Sequence, residues 1–90
     1  MDNENRFFTT LDAYQAGFLT LKGHTPELTK SSQKIIFNFQ QTDKLATDLG
    51  EYFNGAMVDA MRFALAVKQL KTQIFSKKEE EKHGQRNYNL

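Results

Sequence analysis

Lys34-Ile35-Ile36-Phe37-Asn38-Phe39-Gln40 is the stretch that decides the fold. Ile35, Phe37 and Phe39 alternate with Ile36, Asn38 and Gln40, so an extended chain here gathers its large apolar groups on one face. A period of two in aromatic and β-branched residues belongs to a strand with one side against a core. Immediately before it, Ser31-Ser32-Gln33 supplies turn residues. The preceding segment, His24 to Ser31, holds the only proline, Pro26. Proline cannot donate to a ladder, so a strand in that segment is an edge strand or starts after it. Together the runs on either side of the serine turn predict an antiparallel hairpin with one core face.

Toward the N-terminus, Arg6-Phe7-Phe8-Thr9-Thr10 is aromatic and β-prone and predicts a further short strand. Thr9 or Thr10 then caps a helix. Leu11, Tyr14, Phe18 and Leu21 follow at spacings that place them on one helical face, and Gly23 is a stop. Gly17 lies inside this helix, where glycine costs up to about 1 kcal/mol relative to alanine. Close packing against a strand is the expected return for that cost.

Toward the C-terminus, Thr42 is the predicted cap of a second helix, with Asp43 and Asp48 near its positive end. Leu45, Leu49 and Phe53 recur every four residues, and Asn54-Gly55 suits a left-handed termination. Asp59 caps a longer third helix whose stripe is Phe63, Val67, Leu70 and Ile74. The element order is therefore β-α-β-β-α-α, a small α+β domain with a short antiparallel sheet packed against helices. Residues 1–5 are expected to be a flexible N-terminus, residues 6–76 the single domain, and residues 77–90 a charged and polar tail.

At 90 residues the chain has room for one core, and 39% hydrophobic content is too high for a disordered chain. Cysteine is absent, which excludes a disulfide framework, a thiolate metal site and a cysteine nucleophile. No run approaches the ~20 apolar residues of a spanning helix, and no apolar leader follows Met1 to Arg6, so no membrane association and a cytoplasmic location are expected.

The run Phe8-Thr9-Thr10-Leu11-Asp12-Ala13-Tyr14-Gln15-Ala16, closing at Lys22-Gly23, resembles the opening of a small bacterial and phage family, domain of unknown function 5659. The similarity continues through Ile36-Phe37-Asn38-Phe39 and Tyr52-Phe53-Asn54-Gly55, then Val58, Phe63, Ala66, Leu70-Lys71 and Ile74-Phe75. It covers residues 6–75. The resemblance implies a single small α+β domain and a genome rich in mobile elements. The family has no assigned activity, so the resemblance implies no reaction.

The residues themselves offer little for catalysis. His24 and His83 are the only histidines. His24 has Glu27 as its nearest acid in sequence and is expected to be a solvated loop residue. Asp43, Asp48 and Glu51 crowd the second helix, where they are expected to serve helix polarity and solubility rather than a metal, for which further oxygen ligands would be needed. No glycine-rich phosphate loop, nucleophile elbow or paired-histidine zinc motif is present. No catalytic residue, metal, cofactor or small-molecule substrate is expected.

Two surfaces remain as candidates. Met61, Leu65 and Phe75 lie away from the third helix's main stripe, and a helix apolar on both sides is covered on both sides. Ile36 and Tyr52 add apolar groups of the same kind. These residues point to a protein partner or a homodimer. Charge suggests the alternative. Residues 1–59 carry a net charge of −3 and residues 60–90 carry +4, with Lys68, Lys71 and Lys78 on one side of the third helix beside Phe75. Basic groups interleaved with an aromatic suit phosphate tracking, although a formal net charge of +1 disfavours a general nucleic-acid binder. The leading expectation is a non-enzymatic protein-interaction module, regulatory in kind, and the alternative is a nucleic-acid-binding module. An inhibitor that occludes a host defence complex is one concrete form of the first, motivated by the family resemblance alone.

Overall fold

The computed structural model describes the backbone of residues 6–86 and side chains as far as Glu79. The expected flexible segment 1–5 and the last tail residues, 87–90, lie outside the described residues. The elements are β1 (Phe7–Thr10), α1 (Ala13–Leu21), β2 (Glu27–Ser31), β3 (Lys34–Gln40), α2 (Asp43–Phe53) and α3 (Ala60–Arg86). The helix thus continues through Ser76 and ten residues beyond it, to Arg86. The three strands form an open antiparallel sheet in the order β1-β3-β2.

β3 is the central strand because it alone carries a continuous apolar set. Ile35, Phe37 and Phe39 are buried, whereas Ile36 and Asn38 on the other face are half-buried. Phe8 of β1 stands opposite Phe39, and Leu28 of β2 opposite Phe37, so both edge strands add apolar groups to the same side. β2 begins directly after Pro26 and is also an edge strand, so the missing amide donor leaves no gap in a ladder. Ser32-Gln33 closes the hairpin, and Ser32 takes a φ of 60°, the positive value that tight hairpin turns need. On the open face, the Asn38 Nδ2 donates to the Glu27 carbonyl at 2.9 Å and to the Thr29 Oγ1 at 2.8 Å, tying β3 to β2.

The helices cover the apolar face. Ala16, Phe18, Leu19, Phe37, Phe39, Leu45 and Leu70 form one buried cluster drawn from all three helices and the central strand. Thr42 caps α2 by accepting from the Leu45 amide, and Asp59 accepts from the Arg62 amide at the start of α3. α1 departs from the expected cap. The strand runs on through Thr10, so the cap falls to Asp12, whose Oδ1 accepts from the Tyr14 and Gln15 amides. Leu11 is therefore outside the helix and exposed, and Tyr14 is exposed as well. Ala16 and Leu19 join Phe18 in the buried set instead.

α2 also differs in one member. Leu45 is buried and Leu49 half-buried, but Phe53 is 70% exposed. A repeat of four residues drifts by about 40° per step against the helical turn. Tyr52, seven residues after Leu45, stays in phase and packs on the core at 5.3 Å from the Phe18 ring. In α3 the stripe is as expected, with Val67 and Leu70 buried and Phe63 and Ile74 half-buried.

Both shorter helices end in the same way. The His24 amide donates to the Leu19 carbonyl and the Gly23 amide to the Thr20 carbonyl, with Gly23 at a φ of 105°. The Ala56 amide donates to the Glu51 carbonyl and the Gly55 amide to the Tyr52 carbonyl, with Gly55 at 79°. This double bond pattern satisfies the last carbonyls and requires a left-handed residue.

Candidate functional site

α1 and α3 pack tightly where Gly17 faces Val67. The expected close packing at Gly17 is present, but its neighbour is a helix and not a strand. Next to this contact the two helices leave an open groove of about 620 Å³. Tyr14 lines it from α1, and Phe63, Val67, Lys68, Lys71 and Phe75 are among its α3 residues. The Tyr14 and Phe63 rings lie 6.4 Å apart, and the Lys71 ammonium sits 5.2 Å from the centre of the Tyr14 ring. A cation held over an aromatic face is an electrostatic attraction to the ring's negative centre. The groove therefore has apolar walls and two ammonium groups, Lys68 and Lys71.

The residues singled out as anchors fall into separate places. Met61, Leu65 and Phe75 are 79%, 55% and 65% exposed. Phe75 lines the groove. Leu65 lines an adjoining shallow depression that shares Lys68 and Thr72 with the groove, and also borders Thr20 and Leu21 at the end of α1. Met61 precedes Leu65 by four residues on the same helical face. Ile36 is on the open face of the sheet, beside Thr9, Thr10 and Leu11. Tyr52 packs between Phe18 and Phe53, and its hydroxyl pKa is raised by burial and by the nearby charge of Asp12. Neither Ile36 nor Tyr52 lines the groove or the depression beside it. Lys78 is exposed further along α3 and is not among the groove residues.

Tyr14, Ala64 and Thr72 line the groove although the sequence does not single them out as site residues, and Tyr14 is the one with a large side chain. Counting the α1 stripe from Leu11 places Tyr14 on the inner face, whereas it is exposed. The signal that finds it is Asp12, a stronger capping residue than either threonine, which starts α1 at Ala13 and leaves Tyr14 in the exposed first turn beside α3.

A second cluster joins α1's exit loop to α2. The His24 Nε2 lies 2.8 Å from the Asp48 Oδ2, and the Lys44 Nζ donates to the same oxygen at 2.7 Å. Lys44 also donates to the Lys22 carbonyl at 3.2 Å, and Lys22 pairs with Glu51. Asp48 is only 4% exposed, so it is not a solvated carboxylate of helix polarity. His24 is likewise partly buried, and its partner is Asp48 rather than Glu27. The tight turn at Gly23 brings the imidazole back over α2, a proximity that sequence distance conceals. The hydrogen bond from Lys44, and after it that from His24, lowers the Asp48 pKa despite the burial that would raise it. His83 lies beyond the residues whose side chains are described. Among the described residues, no three His, Asp or Glu side chains gather where they could hold a metal ion, and no helix is long and apolar enough to cross a membrane.

The model of the family described as domain of unknown function (DUF5659) matches residues 5–76. The chain belongs to this family. The matched span runs from just before β1 into α3 as far as Ser76, and so takes in every strand, α1, α2 and the groove between α1 and α3. No curated protein and no solved structure matches the chain.

Proposed function

We propose that this domain is a non-enzymatic protein-interaction module that docks a partner on the outer side of α3 and in the groove beside α1. The observation that carries this reading is the groove itself, an open apolar channel with Phe75 and Tyr14 more than half exposed along it. Exposed aromatic groups around a concavity are where binding energy concentrates. Leu65 and Met61 extend the apolar surface along α3. A regulator that works by occlusion fits a chain of this size, and a bacterial or phage source, with a host defence complex as target, rests on the family resemblance alone.

A nucleic-acid-binding role is the second reading, favoured by the presence of Lys68 and Lys71 in the same groove as Phe75. Affinity capture from the native host separates the two, with the wild-type chain compared with Leu65→Asp, Phe75→Ala and Lys71→Glu/Lys78→Glu. For a protein-binding module, a protein is retained at high salt, and Leu65→Asp and Phe75→Ala release it while their circular dichroism is unchanged. Recovery of nucleic acid that is lost steeply with salt and with the lysine reversals would replace this reading with the second.

A further inference from the structure

We infer that the occupant of the α1–α3 groove is an acidic protein segment with a large apolar side chain, one that seats the apolar group between Tyr14 and Phe75 and pairs its carboxylates with Lys68 and Lys71. This deepens the docking reading above and rests on it.

The charges around the groove carry the inference. Between Ala60 and Lys78 the sequence has five basic residues and no acidic one. Lys68 and Lys71 line the groove one helical turn apart, and Phe75 follows Lys71 by four residues. These three side chains project within an arc of about 60° and along about 10 Å of helix axis. Both lysines are exposed, and the Lys71 ammonium is held on the Tyr14 ring, not by a carboxylate. A partner carboxylate arriving beside that ammonium meets a charge already positioned over the groove. Complementary charge of this kind sets the identity of a partner and its rate of encounter more than raw affinity.

The same charges disfavour the other occupants. A second copy packed groove to groove would gather two Lys68–Lys71 pairs, four ammonium groups, in one interface, and like charges brought together are costly. A nucleic acid needs a longer basic track, yet residues 1–59, the part of the sequence that contains the three described strands, carry a net charge of −3. Phe63, Ala64 and Val67 also give the groove an apolar lining suited to a leucine or phenylalanine side chain.

Selection of short random displayed peptides on the full chain tests this, run in parallel on Phe75→Ala and on Lys68→Glu/Lys71→Glu, with an oligothymidine strand as the nucleic-acid probe. All three positions are exposed, so the variants are expected to keep the wild-type thermal transition. The expected result is enrichment of peptides that combine Asp or Glu with a large apolar residue. Their binding falls about tenfold or more on the charge-reversed chain and weakens with salt. Enriched peptides that need Phe75 but carry no acidic excess would overturn the acidic occupant and leave the docking face standing. No Phe75-dependent enrichment, or tighter binding of oligothymidine that needs Lys68 and Lys71, would overturn both.

Discussion

Gly17 of α1 lies so close to Val67 of α3 that a Cβ on the glycine would stand 2.6 Å from the Val67 Cγ2. Valine in a helix is nearly fixed in one rotamer and cannot swing aside. Gly17→Ala should therefore force the helices apart, costing about 1–3 kcal/mol from overpacking, less the ~1 kcal/mol that alanine returns through helix propensity. Denaturant unfolding should show a net loss of stability. Val67→Ala in the same chain should recover part of it, because the two changes share one contact. Additive losses in the double variant would show that the contact does not govern the helix approach.

The other glycines separate backbone effects from packing. An added Cβ meets nothing within 4 Å at Gly55 or Gly50. Gly55 has a φ of 79°, so Gly55→Ala should cost about 1 kcal/mol or more through conformational strain alone, and Gly55→Asn less. Gly50 is exposed inside α2 with no such constraint, and Gly50→Ala should stabilise by about 0.5–1 kcal/mol. Thermal unfolding of the two alanine variants should shift in opposite directions.

Much of the fold was legible because local rules and tertiary needs coincide in it. The alternation in Lys34–Gln40, the breaker at Pro26, and the stops at Gly23 and Gly55 each carry a signal within a few residues. Failures arose where competing local signals were close in strength. Thr9, Thr10 and Asp12 can each cap a helix, and a threonine cap would take Leu11 into α1 and set Tyr14 deeper in it than the first turn it occupies. In α2 the four-residue repeat chose Phe53 over the in-phase Tyr52. The Asp48–His24 bond joins residues 24 positions apart, and no periodicity reports such a pairing. The exposure of Phe75 and Leu65 was foreseeable, because a single stripe on α3 leaves them outside. The groove beside Phe75 was not, because it depends on how α1 crosses α3.

The aromatic residues should differ sharply in what they contribute. Phe39 is 1% exposed at the centre of the sheet, whereas Phe53 is 70% exposed. Phe39→Ala should cost about 3–5 kcal/mol, a large share of the total stability of a small domain, which is of the order of 5–15 kcal/mol. Phe53→Ala should change stability by about 0.5 kcal/mol or less, as for exposed positions generally. Urea midpoints measured side by side would decide it. A comparable loss for Phe53→Ala would mean that its ring is covered in solution.

Asp48 should make the fold sensitive to acid. Its carboxylate is held ionised by the Lys44 hydrogen bond first and the His24 bond second, so its pKa in the folded chain is below the ordinary value. In the unfolded chain it titrates near pH ~4. A group whose folded pKa is depressed contributes stability above its unfolded pKa and loses it as pH falls through the folded value. Stability should therefore be steady from neutral pH down to about pH 5 as far as this group is concerned, and then decline below pH ~4. Asp48→Asn keeps the shape but cannot ionise, so it should be less stable than wild type at neutral pH and should lose this group's share of the acid-side decline. Lys44→Met should lower stability at neutral pH and flatten the same decline, because the hydrogen bond it removes is the main cause of the lowered pKa. Urea unfolding at pH ~7 and pH ~3 for the three chains gives the comparison. An equal loss between the two pH values in wild type and Asp48→Asn would assign the acid sensitivity to other carboxylates.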